Sequence, residues 1–131
     1  MRQGFTLIEM LLVLSIMILL GSFVIPNIKR FQTRSYQMAS EVNARTFQSA
    51  VENYYIEAST YPSGSLSAGD LYDALKADDS LNSCPLNPYT KAPYASTDTK
   101  GKILYVGAVD DYTITLYDQA GQGVQLTLHK I

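Results

Sequence analysis

From Phe5 to Ile25 the side chains are apolar almost without a break, and the run holds a single ionisable residue, Glu9. At about 1.5 Å per helical residue such a run spans roughly 30 Å, the hydrocarbon core of one bilayer. Beyond Pro26 the pattern changes from continuous to periodic. No proline or glycine occurs from Asn27 to Ser59, and the apolar positions fall at helical spacing. At 100° per residue, Ile28, Phe31, Met38, Ala39 and Val42 gather on one side, and Phe47, Ala50, Val51, Tyr54 and Ala58 on another, rotated by about a third of a turn. If Pro26 only kinks the element, one helix covers residues 5–59, roughly 80 Å of it, with its weakest turns around Gly21 and Pro26. A helix serving only its own domain needs one stripe. Two stripes predict two kinds of neighbour: the chain's own sheet and a different surface.

The second half punctuates differently. Tyr61-Pro62-Ser63-Gly64 ends the long helix and turns the chain. Ser67-Ala68-Gly69-Asp70 has the form of a capping box, opening a short helix over 67–77 with Leu71 and Leu75 inward. Residues 80–101 hold Pro85, Pro88 and Pro93 and few apolar side chains, which predicts a long irregular loop. Strands follow at 102–109, 112–117 and 124–128, rich in Val, Ile, Thr and Tyr, with Asp110-Asp111 and the 118–123 segment as turns. The expected fold is α+β. A long N-terminal helix, membrane-spanning over 5–25, packs through its Phe47–Ala58 stripe on an antiparallel sheet of about three strands, and residues 60–131 form a small head. A sheet covered on one face leaves Tyr and Thr outward.

Composition narrows the chemistry. The 131 residues carry a formal net charge of −2, which argues against generic nucleic-acid binding, and the basic positions from Lys29 to Arg45 are a local feature. Cys84 is the only cysteine, so no intramolecular disulfide can form. No catalytic constellation is legible. His129 stands alone near the end of the last strand, and Ser83-Cys84-Pro85 has no base near it in sequence. Asp110, Asp111 and Asp118 admit calcium, but turn chemistry explains them without a metal, and no cofactor or metal is assigned.

The feature left over is Glu9, an acid near the start of a span where charge is expensive. Gly4-Phe5-Thr6-Leu7-Ile8-Glu9-Met10-Leu11-Leu12 resembles the N-terminal signature of type IV pilins and pseudopilins, and Pro26 falls where those proteins often place a helix-interrupting proline. An ordinary secretory signal has a shorter core without an interrupting acid. The resemblance implies residues 1–4 as a leader, cut by a prepilin peptidase between Gly4 and Phe5, and N-methylation of the freed Phe5. It also implies pairing of Glu9 with the Phe5 amine of a neighbouring copy, and local helix flexibility at Gly21 and Pro26. The implied partners are many copies of the same chain in a helical filament, the pilus or secretion machinery, and membrane lipid before assembly. Implied locations are the cell membrane first and the surface filament afterwards. The expected function is that of a structural subunit, the major one, of a type IV pilus filament; the alternatives are a major pseudopilin of a type II secretion or competence system and, behind it, a monomeric membrane-anchored binding module. The Asn87-Pro88-Tyr89 stretch resembles the loop preceding the sheet in major pseudopilins. Lys29, Arg30 and Arg34 beyond the apolar run, against Arg2 before it, would by charge alone put the head on the cytoplasmic side, opposite to what the signature implies.

Overall fold

The computed structural model describes residues 4–131; the remainder of the expected leader, Met1 to Gln3, lies outside the described residues. Helix α1 runs unbroken over Leu7–Ala58 with Pro26 inside it. By its contacts the chain divides into two units within this helix, between Ser35 and Tyr36.

In the first unit the side chains of the apolar run are exposed, Leu7 and Ile18 by 79% and 72% among them. Its few polar side chains turn back on the helix. Ser15 Oγ donates to the Leu11 carbonyl at 2.8 Å, Ser22 Oγ to Leu19 at 2.8 Å and Asn27 Nδ2 to Phe23 at 3.2 Å. Each bond satisfies a donor that hydrocarbon cannot. Among the described residues this one helix is long and apolar enough to cross a membrane.

In the second unit α1 buries Ser40, Ala44, Phe47, Gln48, Ala50 and Val51, a face recurring every three or four residues. Tyr54 packs against the edge of this core, while Ala58 is exposed at the helix end. Met38, Ala39 and Val42 are exposed. The two expected stripes therefore have different surroundings, one inside the head and one outside it.

The sheet is an antiparallel meander of four strands in sequence order: β1 (Gly64–Ser67), β2 (Ile103–Gly107), β3 (Tyr112–Tyr117) and β4 (Val124–His129). That is one strand more than expected. β1, Gly-Ser-Leu-Ser, has no strand composition of its own; it is held by pairing with β2, Leu66 opposite Tyr105. Helix α2 (Ala68–Lys76) follows at once, and Ser67 caps it, its hydroxyl accepting from Asp70 N and donating to the Asp70 carboxylate. Leu71 and Leu75 are fully buried, as expected.

Alternation decides the faces. Tyr112, Ile114 and Leu116 point inward from β3, with Ile103 and Tyr105 beside them on β2. Thr113, Thr115 and Tyr117 lie on the other face, half-buried. The expectation of outward tyrosines thus holds for Tyr117 and fails for Tyr105 and Tyr112. Their hydroxyls explain why: Tyr105 donates to the Pro62 carbonyl at 2.8 Å and Tyr112 to Glu52 Oε1 of α1 at 2.6 Å. Tyr61 donates to Glu52 Oε2 at 3.1 Å, and the Ile131 N–H reaches Oε1 at 3.3 Å. Lys130 Nζ lies over the Tyr55 and Tyr61 rings, 5.5 and 5.4 Å from their centroids. Glu52 thereby ties together the helix, the turn, β3 and the segment that follows β4.

The proline-rich loop is ordered by Asn87, which is fully buried. Its side chain donates to Asp98 Oδ2 and the Lys100 carbonyl and accepts from Tyr89 N, while its backbone bonds Ala92 and Lys91. Nearby, Ser40 Oγ and the Tyr89 and Tyr94 hydroxyls are buried without a hydrogen-bond partner.

Two outcomes test this packing. A Cβ on Gly107 would collide with the Pro62 carbonyl oxygen and the Tyr105 hydroxyl. Gly107→Ala is expected to destabilise the head by about 1–3 kcal/mol, read as a lower thermal midpoint. Burial, reinforced by Glu52, Tyr55 and Asp111, pushes the Tyr61 phenol up to about 12, and Tyr105 and Tyr112 are raised as well. A phenol raised above its unfolded value of about 10 contributes stability in full below that pH and loses it as pH climbs through the folded value. Alkaline titration is expected to produce tyrosinate absorbance and loss of head ellipticity together, between about pH 10 and 12.

Candidate functional site at the start of the helix

α1 begins at Leu7, so Thr6 occupies the N-cap and Glu9 the third helical position. The two side chains bond reciprocally. Thr6 N donates to Glu9 Oε2 at 2.9 Å, Thr6 Oγ1 donates to the same oxygen at 2.7 Å, and Glu9 N donates to Thr6 Oγ1 at 3.4 Å. This is a capping box, and it places a carboxylate where the helix dipole favours negative charge. Among the described residues Glu9 Oε1 takes no hydrogen bond, whereas Oε2 takes two.

This geometry alters one inference from sequence. An acid with no partner until another copy arrives would be costly in the free subunit; here Thr6 already supplies two donors in cis. Sequence reasoning singled out Glu9 and passed over Thr6. The signal was available, since Thr6-Leu7-Ile8-Glu9 has the same spacing as the Ser67–Asp70 box.

Gly4 and Phe5 precede the helix, Phe5 is 74% exposed, and with Thr6 and Glu9 they line an open hollow of about 520 Å³. A Cβ built on Gly4 would meet nothing within 4 Å, and the same holds for Gly21. Neither glycine is required by the chain's own packing, so any demand for a missing side chain comes from outside it.

The remaining candidates are held in local turns. Asp111 Oδ1 accepts from Tyr112 N at 2.8 Å, and the Asp110 carbonyl accepts from Lys130 Nζ at 2.8 Å. Partial burial works against ionisation of Asp118, yet the N–H groups of Gly123, Gln122, Gly121 and Ala120 hold its carboxyl below the usual range. Among the described residues no three His, Cys, Asp or Glu side chains gather as metal ligands. Cys84 is half-buried beside the Tyr94 carbonyl, and burial pushes its thiol up, away from reactivity. His129 is exposed, and its backbone carbonyl accepts from Gln48 Nε2 at 2.9 Å.

A long N-terminal helix begun by a Thr6–Glu9 capping box and a small four-stranded antiparallel sheet make up a pilin-like α+β fold. The chain is similar to the type IV major pilin protein PilA of Myxococcus xanthus (strain DK1622), 36% identical over 60 residues, 46% of this chain. The match spans 27% of that relative's length. No family model matches the chain, and no solved structure matches it. The fold and this relative both point toward type IV pilins, the sequence similarity extending over less than half of the chain.

Thr6→Ala is expected to remove about 1 kcal/mol of N-terminal capping and to speed hydrogen exchange of the first-turn amides of α1 about fivefold in detergent micelles. Thr6→Ser is expected to preserve the slow exchange.

Proposed function

We propose that this chain is a structural subunit, and the major one, of a type IV pilus filament. The supporting observation is the first part of α1, an apolar surface its own chain leaves uncovered, with one carboxylate at its outer end. In this reading a prepilin peptidase cuts between Gly4 and Phe5, where the backbone is not yet helical, and Phe5 becomes a methylated N-terminal residue. The apolar helix holds the subunit in the cell membrane and then enters the core of a surface filament beside many identical helices.

Glu9 guides the transfer. Oε2 stays with Thr6 of its own chain, and Oε1 accepts the cationic Phe5 amine of a copy already assembled. In a low-dielectric setting that charge-assisted bond is strong and its absence costly, which favours addition at the correct register. Gly21 and Pro26 weaken the intervening turns, so the helix can unwind locally as the fibre is strained. The single cysteine and the proline-rich loop ordered by Asn87 favour a second reading within the same class, a major pseudopilin of a secretion or competence system.

Mass spectrometry of a sheared-fibre fraction is expected to find a chain beginning at Phe5, with or without one methyl group. Glu9→Ala is expected to be cut normally yet absent from fibres. An uncut chain confined to membranes, or normal fibre yield from Glu9→Ala, refutes the reading.

A further inference from the structure

Charge is unevenly shared between the two parts of the chain. Through Ser35 there are four basic residues against one acidic, a formal +3; residues 36–131 hold six against eleven, a formal −5. The structurally described positive charge of the first part is concentrated in Lys29, Arg30 and Arg34, all exposed. The nearest acids in sequence are remote: Glu9 lies 20 positions before Lys29, and Glu41 seven positions after Arg34. Glu41 is engaged elsewhere, accepting from Gln125 Nε2 at 3.0 Å.

Depth gives this cluster a surrounding. If residues 5–25 fill the hydrocarbon core, the headgroup layer on each side extends about 5–7 Å further. By backbone rise Lys29 and Arg30 fall about 6 and 7.5 Å beyond the run, at the outer edge of that layer, and Arg34 about 13.5 Å beyond it. Helical side chains lean back toward the N-terminus, so Arg34 reaches down about one turn to the level of Arg30. Arg30 and Arg34 line one hollow of about 250 Å³ together with Asn27 and Phe31. Asn27 is steadied there by its bond to the Phe23 carbonyl, and Phe31 is 75% exposed. Two like charges four residues apart repel, and an anion between them removes the repulsion. Two guanidinium forks beside an exposed aromatic ring match a phosphate carried on an apolar stem.

We infer that Asn27, Arg30, Phe31 and Arg34, with Lys29 beside them, bind the phosphate headgroup of an anionic phospholipid in the leaflet opposite Glu9. The site holds the unassembled subunit at a fixed depth, with Phe31 on the glycerol and upper acyl region and the arginines on the phosphate. It rests on the reading of residues 5–25 as a membrane span.

The test uses the full chain reconstituted in phosphatidylcholine bilayers containing spin-labelled phosphatidylglycerol or spin-labelled phosphatidylcholine as probe, with the motionally restricted lipid measured by electron paramagnetic resonance. The wild-type protein is expected to enrich the anionic probe, and Arg30→Gln/Arg34→Gln to lower that enrichment about tenfold or more. Lys91→Gln/Lys100→Gln in the head is expected to change nothing. Equal enrichment in wild type and the arginine double variant overturns the inference, as does displacement of the probe by millimolar inorganic phosphate, which assigns the site to the free ion. Loss of self-association in Arg30→Gln/Arg34→Gln with unchanged lipid enrichment assigns the surface to a second copy and overturns it too. A wild-type chain that fails to insert in either bilayer instead refutes the membrane-span reading.

Discussion

Apolar helix surface that its own chain leaves uncovered has to be covered by lipid or by protein, and this requirement organises the molecule. Over the first turns of α1 nearly every side chain is apolar and exposed, so water is the one surrounding in which that part of the helix is unstable. Lipid and a bundle of like helices are both apolar, and a helix suited to one is suited to the other. The same surface can therefore serve as an anchor and as a polymerisation face. What tells the two surroundings apart is the polar exceptions, and these are few, with the one charged residue of the run, Glu9, near its start.

Those exceptions are managed locally. Ser15, Ser22 and Asn27 return their donors to carbonyls three or four residues back, so the interior of the span asks nothing of a partner. Glu9 is treated differently: one of its oxygens is engaged by Thr6, and among the described residues the other takes no hydrogen bond. A carboxylate half satisfied in cis is tolerable in a free subunit and still has something to gain from a cation on another chain. In the proposed assembly, full cis satisfaction would remove what Glu9 gains from a second copy, and none would make the free subunit costly to maintain.

In the head, two polar centres bring together segments distant in sequence. Glu52 gathers Tyr61, Tyr112 and the Ile131 amide onto the helix, and Asn87 gathers the loop around itself. Both bring many donors to one acceptor group or one amide, and both are buried or partly buried, where such bonds are strong and their loss leaves orphaned groups. With only one cysteine in the chain, these centres and the apolar core hold the head without a covalent staple.

Several features were legible in the residues alone because they depend on neighbours within a few positions. The apolar run, the helix-compatible stretch after Pro26, the Ser67 cap with Leu71 and Leu75 inward, and the β3 alternation are all periodic or local, and periodicity survives without knowledge of the fold. The motif around Glu9 was equally plain. Tertiary structure decided what depends on distant partners. β1 is a strand because β2 lies beside it, not because Gly-Ser-Leu-Ser prefers to be extended. Tyr105 and Tyr112 point inward because Pro62 and Glu52 wait there for their hydroxyls, and Asn87 is a keystone because Asp98 and Lys100 fold back to meet it. A sequence specifies each residue's capacity to bond and to pack; which partner arrives is set by chain closure over tens of residues, and that is a property of the folded whole.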